Sequence, residues 1–139
     1  MNLFISGGAG FIGSNLVNTI VKDKSIKKIT VYDNFSSGKK WFLKKNKKIV
    51  IVKGDIKNKK KLSLAIKGSN LVYHFAANPD IAAAVKNPDI DFVEGTVLLR
   101  NVLEAMRLNN IKKIIFASGS GVYGDLKKKC RNRTTKANS

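Results

Sequence analysis

Short apolar runs rich in isoleucine and valine recur along the chain, at Leu3–Ser6, Ile29–Tyr32, Ile49–Val52, Leu71–Ala76 and Ile114–Ala117. Each is nearly continuous in hydrophobicity, as strands covered on both faces should be. Between them lie stretches with helical spacing. Phe11 to Val21 carries Phe11, Asn15, Val17 and Ile20/Val21. Lys57 to Ile66 turns Leu62, Ala65 and Ile66 inward. Asp89 to Leu108 is the longest, with a broad stripe of Val93, Val97, Leu99, Val102, Leu103, Ala105 and Met106. Strand and helix alternating in this way predict an α/β domain with a doubly wound parallel sheet of about five strands. The expected order is 3-2-1-4-5, with right-handed crossovers and a ligand crevice where the order reverses between strands 1 and 4. No internal repeat recurs at a fixed period. After Asp125 the pattern stops. Residues 1–125 are expected to form the domain, and the basic stretch Leu126–Ser139, almost without apolar residues, a disordered tail.

The first strand runs into Gly7-Gly8-Ala9-Gly10-Phe11-Ile12-Gly13-Ser14, and the second ends on Asp33, twenty residues beyond Gly13. The glycines satisfy both a tight spacing (Gly8, Gly10, Gly13) and a looser one (Gly7, Gly10, Gly13). The first allows a sharp turn, the second lets backbone approach a pyrophosphate, and the third lets the helix pack close to the strand. The pyrophosphate would sit on the positive end of the helix that starts near Phe11. A strand before, a helix after and a carboxylate at this distance favour dinucleotide binding over a purely structural turn.

The chain has 139 residues, 43% of them apolar, which suits one ordinary core. Its charge is +18, from 27 basic and 9 acidic residues. Such an excess points first to a polyanion partner. All but Arg100, Arg107, Arg131 and Arg133 of the basic residues are lysine, however, scattered in pairs at the polar ends of apolar segments. Clustered arginines with interleaved aromatics, the pattern of a base-reading surface, are lacking, so nucleic acid is expected only through non-specific charge. The lone Cys130 excludes an internal disulfide framework and a cysteine-based zinc site, and no metal is expected. No apolar run approaches the roughly 20 residues that span a bilayer, and no signal-peptide pattern opens the chain, so the cytoplasm is the expected location.

The glycine run, followed by Tyr32-Asp33-Asn34-Phe35-Ser36-Ser37-Gly38-Lys39, resembles the extended short-chain dehydrogenase/reductases. It is most similar to the NAD-dependent sugar-nucleotide epimerase/dehydratase family of the UDP-glucose 4-epimerase type. Gly54-Asp55-Ile56, His74-Phe75-Ala76-Ala77, Gly95-Thr96, Leu103-Glu104-Ala105 and Val122-Tyr123-Gly124-Asp125 follow in the family's order, so the resemblance spans residues 1 to about 125. It implies a Rossmann-type domain holding NAD. Phe11 and Ile12 would offer backbone N–H groups to the pyrophosphate. Asp33 would accept the adenosine-ribose hydroxyls and repel the 2′-phosphate of NADP. Asn34, Ser37 and Gly38 would line the ribose edge, with Lys39 near phosphate. Asp55 and Ile56 would hold the adenine edge, and Ala76 and Ala77 would floor the pyrophosphate and ribose. Plainer roles stand beside these: a turn carboxylate for Asp33 and a helix N-cap for Asp55.

His74, the sole histidine, lies among Val72, Tyr73 and Phe75 and reads as a structural residue rather than a catalytic one. Trp41-Phe42, between Lys39-Lys40 and Lys44-Lys45, has the composition of a stacking platform. It is read instead as a hydrophobic plug holding the loop after the second strand to the body.

The chain departs from the family pattern at two positions. Where the family places a catalytic Ser or Thr four residues before the Tyr of Val-Tyr-Gly, this chain has Gly119, flanked by Ser118 and Ser120, either of which could supply the hydroxyl. Where it places Asn three residues before Gly-Thr, this chain has Phe92. The family's Tyr-x-x-x-Lys pair, which exchanges the proton of a sugar hydroxyl, has no counterpart after Val122-Tyr123-Gly124. The sequence is therefore expected to be the N-terminal, cofactor-binding part of a nucleotide-sugar enzyme, without turnover by itself and with homodimerisation a property of the full-length family. The rival expectation is a non-catalytic NAD- or polyanion-binding module whose basic surface is the working part.

Overall fold

A computed structural model describes residues 1–78, 86–87 and 89–119. Five strands form one parallel sheet: β1 (Asn2–Ser6), β2 (Lys28–Asp33), β3 (Ile49–Lys53), β4 (Leu71–His74) and β5 (Ile114–Phe116). Their order is β3-β2-β1-β4-β5, as the alternation predicts. In register, Ser6 pairs with Tyr32 on one side and His74 on the other, and Asp33 pairs with Lys53. The carboxyl ends of four strands are thereby brought level.

Three main helices cover the sheet: α1 (Phe11–Ile20), α2 (Lys59–Ile66) and α3 (Leu98–Leu108). Strand alternation sorts the core into two layers. Leu3 and Ile5 of β1 join Ile29 and Val31 of β2 against Val17 and Val21 beneath α1. Phe4, Tyr32 and Val72 face the other way, onto Leu62 and Ile66 of α2 and Leu98, Val102, Ala105 and Met106 of α3. Helices thus lie on both faces, which defines the doubly wound architecture.

The long helical pattern over 89–108 is interrupted. One turn at Asp89–Asp91 leads into a π-helical stretch, Phe92–Val97, before α3 begins. The extra residue per turn shifts the phase of the apolar stripe, so Leu98 and Asn101 are buried while Leu103 faces outward. Double-sided cover also fails at the margins. Val50 and Ile51 of β3 and Ile115 and Phe116 of β5, the two outermost strands, are exposed.

The plug expected of Trp41-Phe42 is not formed by Trp41, which is 76% exposed on a 3₁₀ turn, Lys40–Phe42. Leu43, extended just past that turn, is the residue that buries. Asn18 of α1 holds the loop, donating to the Phe42 carbonyl and accepting from Lys44 N–H. Among the described residues no helix is long and apolar enough to cross a membrane. The stretch 126–139 lies outside the described residues.

Candidate nucleotide-binding site

A cleft of about 500 Å³ opens along the carboxyl ends of β1 to β4, at the β1/β4 reversal point. Its floor is the glycine turn. Gly7 has φ +68°, and a Cβ there would lie 2.6 Å from the Ala76 nitrogen, so neither the backbone angle nor the space admits a side chain. At Gly13 a Cβ would fall 2.4 Å from the Gly7 oxygen, which is why α1 can start so close to β1. The spacing Gly7-Gly10-Gly13 is thus the one that shapes the floor, while Gly8 is small because Val31 packs against it.

Gly10 differs. Its angles, φ −75° and ψ 178°, suit any residue, and an added Cβ would meet only the Gly7 oxygen, at 3.3 Å. Gly10 lines the cleft at the helix start. Gly10 is also the N-cap of α1 and supplies no side-chain cap, and no carboxylate occupies the first turn. The first intrahelical bond is Ser14 N–H to the Gly10 carbonyl, at 2.9 Å. The amides of Phe11, Ile12 and Gly13 precede it and line the positive end of the helix dipole.

Asp33 is buried at the end of β2 and lines the cleft. Its Oδ2 accepts from Ala9 N–H at 2.9 Å and its Oδ1 from Phe35 N–H at 2.8 Å. The turn-carboxylate role is real, and it leaves lone pairs on both oxygens for further donors. Gly38 and Lys39 do not line the cleft. A Cβ on Gly38 would strike Ala9, and Lys39 N–H donates to the Ala9 carbonyl at 3.0 Å, so this pair braces the glycine turn from behind. Asn34 and Ser37 do line it.

Asp55 is not a helix N-cap. Asn58 caps α2, its side chain accepting from Lys61 N–H at 3.0 Å, because the helix begins two residues later than the sequence pattern suggests. Asp55 Oδ1 instead accepts from Lys57 N–H at 2.8 Å, and Asp55 faces the cleft beside Ile56. Tyr32, missed by sequence reasoning, fixes this turn: its hydroxyl donates to the Asp55 carbonyl at 2.9 Å. Burial, with the Asp55 charge nearby, pushes the Tyr32 phenol up to about 12. Gly54 packs on the same ring, where a Cβ would lie 2.5 Å away.

Ala76 and Ala77 line the opposite wall after β4. His74 sits just below them and is buried, with Nδ1 2.6 Å from Ser6 Oγ and its ring stacked on Phe116. Burial drives its pKa down to about 4, so it is neutral at ordinary pH, as a structural residue. Lys57, Asn78 and Glu94 also line the cleft; lying outside any recognisable motif, they carried no sequence signal. Ser118 is exposed beyond β5 and does not line it. Ser120 and Val122-Tyr123-Gly124-Asp125 lie outside the described residues. Among the described residues no cluster of His, Cys, Asp or Glu could hold a metal.

A parallel doubly wound sheet with this floor and a carboxylate at the end of β2 has the form of a dinucleotide-binding domain. The chain belongs to the NAD dependent epimerase/dehydratase family, whose model matches residues 3–139. It is 31% identical to the dTDP-glucose 4,6-dehydratase of Mycobacterium tuberculosis, over 99% of this chain and 42% of that protein. The UDP-glucose 4-epimerase of Thermus thermophilus, solved in complex with NAD, superposes with a TM-score of 0.84 at 28% identity, over 99% of this chain and 44% of that one. The UDP-glucose 4-epimerase of Thermotoga maritima, solved with UDP-glucose, gives 0.83 at 29%, over 99% and 45%. The chain therefore spans under half the length of each of these relatives.

Proposed function

We propose that this chain is the NAD-binding portion of a sugar-nucleotide epimerase/dehydratase of the UDP-glucose 4-epimerase type. The observation that carries the reading is the cleft itself: Gly7, Gly10 and Gly13 of the turn, the start of α1 and Asp33 line one opening of about 500 Å³ at the β1/β4 reversal point. The residues fit the adenine half of NAD. Phe11 and Ile12 N–H groups would hold the pyrophosphate, with Gly7, Gly10 and Gly13 keeping side chains out of its way. Asp33 would accept the ribose hydroxyls, beside Asn34 and Ser37. Asp55 and Ile56 would border adenine, the Asp55 carboxylate accepting from its exocyclic amine. Ala76 and Ala77 would leave room beneath the pyrophosphate and ribose. Gly38 and Lys39 act through the turn they brace.

NAD, when bound, supplies the hydride acceptor and donor for oxidising and then re-reducing a sugar hydroxyl. The chain's own residues bind and orient it. Ser118 or Ser120 is proposed as the hydroxyl near the reacting sugar. No tyrosine follows Tyr123 in the polypeptide 1–139, so the family's later Tyr-x-x-x-Lys proton-transfer pair has no counterpart in it, and it is proposed to bind without turning over. A nucleotide sugar is the substrate class of the whole enzyme, which would act in the cytoplasm. Calorimetric titration of the 139-residue chain with NAD tests the reading. Saturable one-to-one binding is expected; no heat and no competition by ADP-ribose would refute it.

A further inference from the structure

The base-binding end of the cleft is bridged twice from the β3–α2 turn, once to α3 and once to the π-helical stretch before it. On the buried side, the Asn101 amide donates to the Ile56 carbonyl at 3.4 Å. On the open side, Lys57 Nζ forms an ion pair with Glu94, and both line the cleft. Neither end of that pair is loosely held. Lys57 N–H is pinned by the Asp55 carboxylate, so its side chain starts from a fixed point directly after Asp55-Ile56. Glu94 belongs to the π-helical stretch. Such stretches commonly mark functional sites. Glu94 in turn holds the Lys57 ammonium above its usual range.

The Lys57 and Glu94 side chains are 49% and 31% exposed. A pair so placed contributes little to folding, since water and salt screen it. A purine seated beside Asp55 and Ile56 would exclude water from one side of the pair and strengthen it. We propose that Lys57 and Glu94 are positioning residues, a clasp over the base end of the cleft that retains the adenine half of a bound dinucleotide. The inference rests on the nucleotide-binding reading above. Ligand and clasp reinforce one another, so the pair slows release more than it stabilises the empty protein.

Displacement of NAD from the 139-residue chain, followed by stopped flow, tests this in wild type, Lys57→Met, Glu94→Gln, the double variant and Lys57→Arg. Either single neutralisation should raise the dissociation rate about threefold, the scale of a partly exposed pair. The double variant should release NAD no faster than the singles, and Lys57→Arg should restore slow release. Melting temperatures without NAD should stay the same across the set. Unchanged dissociation in both singles, or single effects that add fully in the double, would overturn the clasp while leaving the nucleotide site intact. Failure of the wild type to bind NAD would overturn both.

Discussion

Replacing Gly10 by valine separates the ligand's needs from the fold's. The backbone at Gly10 already has angles valine adopts freely, and its Cβ would meet only the Gly7 oxygen, at 3.3 Å. No cap bond is lost, since Gly10 makes none with a side chain. Valine is a poorer N-cap than glycine, which sets the expected destabilisation near 1 kcal/mol. For a domain of this size that lowers Tm by about 4 °C. Binding should suffer far more. In the proposed binding mode the branched side chain would stand where the pyrophosphate approaches the Phe11 and Ile12 amides. Losing two hydrogen bonds to a charged group, at roughly 1.5–3 kcal/mol each, reduces affinity at least about a hundredfold. Gly13→Val is the contrasting control: its Cβ would sit 2.4 Å from the Gly7 oxygen and 2.6 Å from Gly8 Cα, so the fold itself should fail. Circular dichroism melts and calorimetry with NAD read the two quantities separately. A folded Gly10→Val protein with unchanged NAD affinity would show that no ligand sits on this turn.

Asp33→Ala should weaken NAD and narrow the preference for NAD over NADP; equal affinities for the two in the unmutated chain would refute the role given to Asp33. Because burial holds His74 near pKa 4 against 6.5 when unfolded, the unfolded state binds the extra proton first as pH falls. Stability should therefore be full above pH 6.5 and decline by about 3 kcal/mol at pH 4, and His74→Gln, followed by urea melts, should flatten that slope. Purified 1–139 should show no sugar-nucleotide epimerisation, since a placed general base contributes about 10²–10⁴ in rate and no tyrosine follows Tyr123 to form the family's later Tyr-x-x-x-Lys pair; measurable turnover free of host enzyme would refute this.

The sheet was legible because its signal is dense: five apolar runs separated by helical spacing leave few topologies, and the observed order is the one they imply. The glycine turn was legible because three positions each forbid a side chain or face the cleft, and a spacing of this kind survives in the sequence. What stayed hidden depends on long-range placement. Nothing local in the sequence distinguishes Asp55 from Asn58 as the cap of α2; in the structure Asn58 caps the helix, while Tyr32 reaches across from β2 to hold the Asp55 carbonyl. Trp41 looked like a plug because apolar composition says nothing about direction, and the 3₁₀ turn carries it outward while Leu43 buries. The π-helical stretch is invisible to a search at the α-helical period, so Leu98 and Asn101 were missed from the buried face and Leu103 was wrongly placed on it.

The cleft's walls are tied to one another by bonds that do not involve a ligand. Gly7 N–H donates to the Tyr32 carbonyl, Phe75 N–H to Ser6, and Gly54 N–H to Asp33, each near 3 Å, so three loops are extensions of the sheet ladder. Asp33 adds side-chain bonds to Ala9 and Phe35, and Tyr32 adds one to Asp55. A ligand entering here orders little that is not ordered already, and binding that avoids this entropic cost retains more of its interaction energy. The same economy complicates mutagenesis. Asp33→Ala removes two structural bonds along with any bond to ribose, so a fall in NAD affinity alone would not assign the residue. The ratio of NAD to NADP affinity does, because both cofactors share the turn, the pyrophosphate contacts and whatever damage the mutation causes. They differ only in the 2′-phosphate that the Asp33 charge would face. A ratio that moves toward one on substitution isolates that charge from the scaffold it also supports.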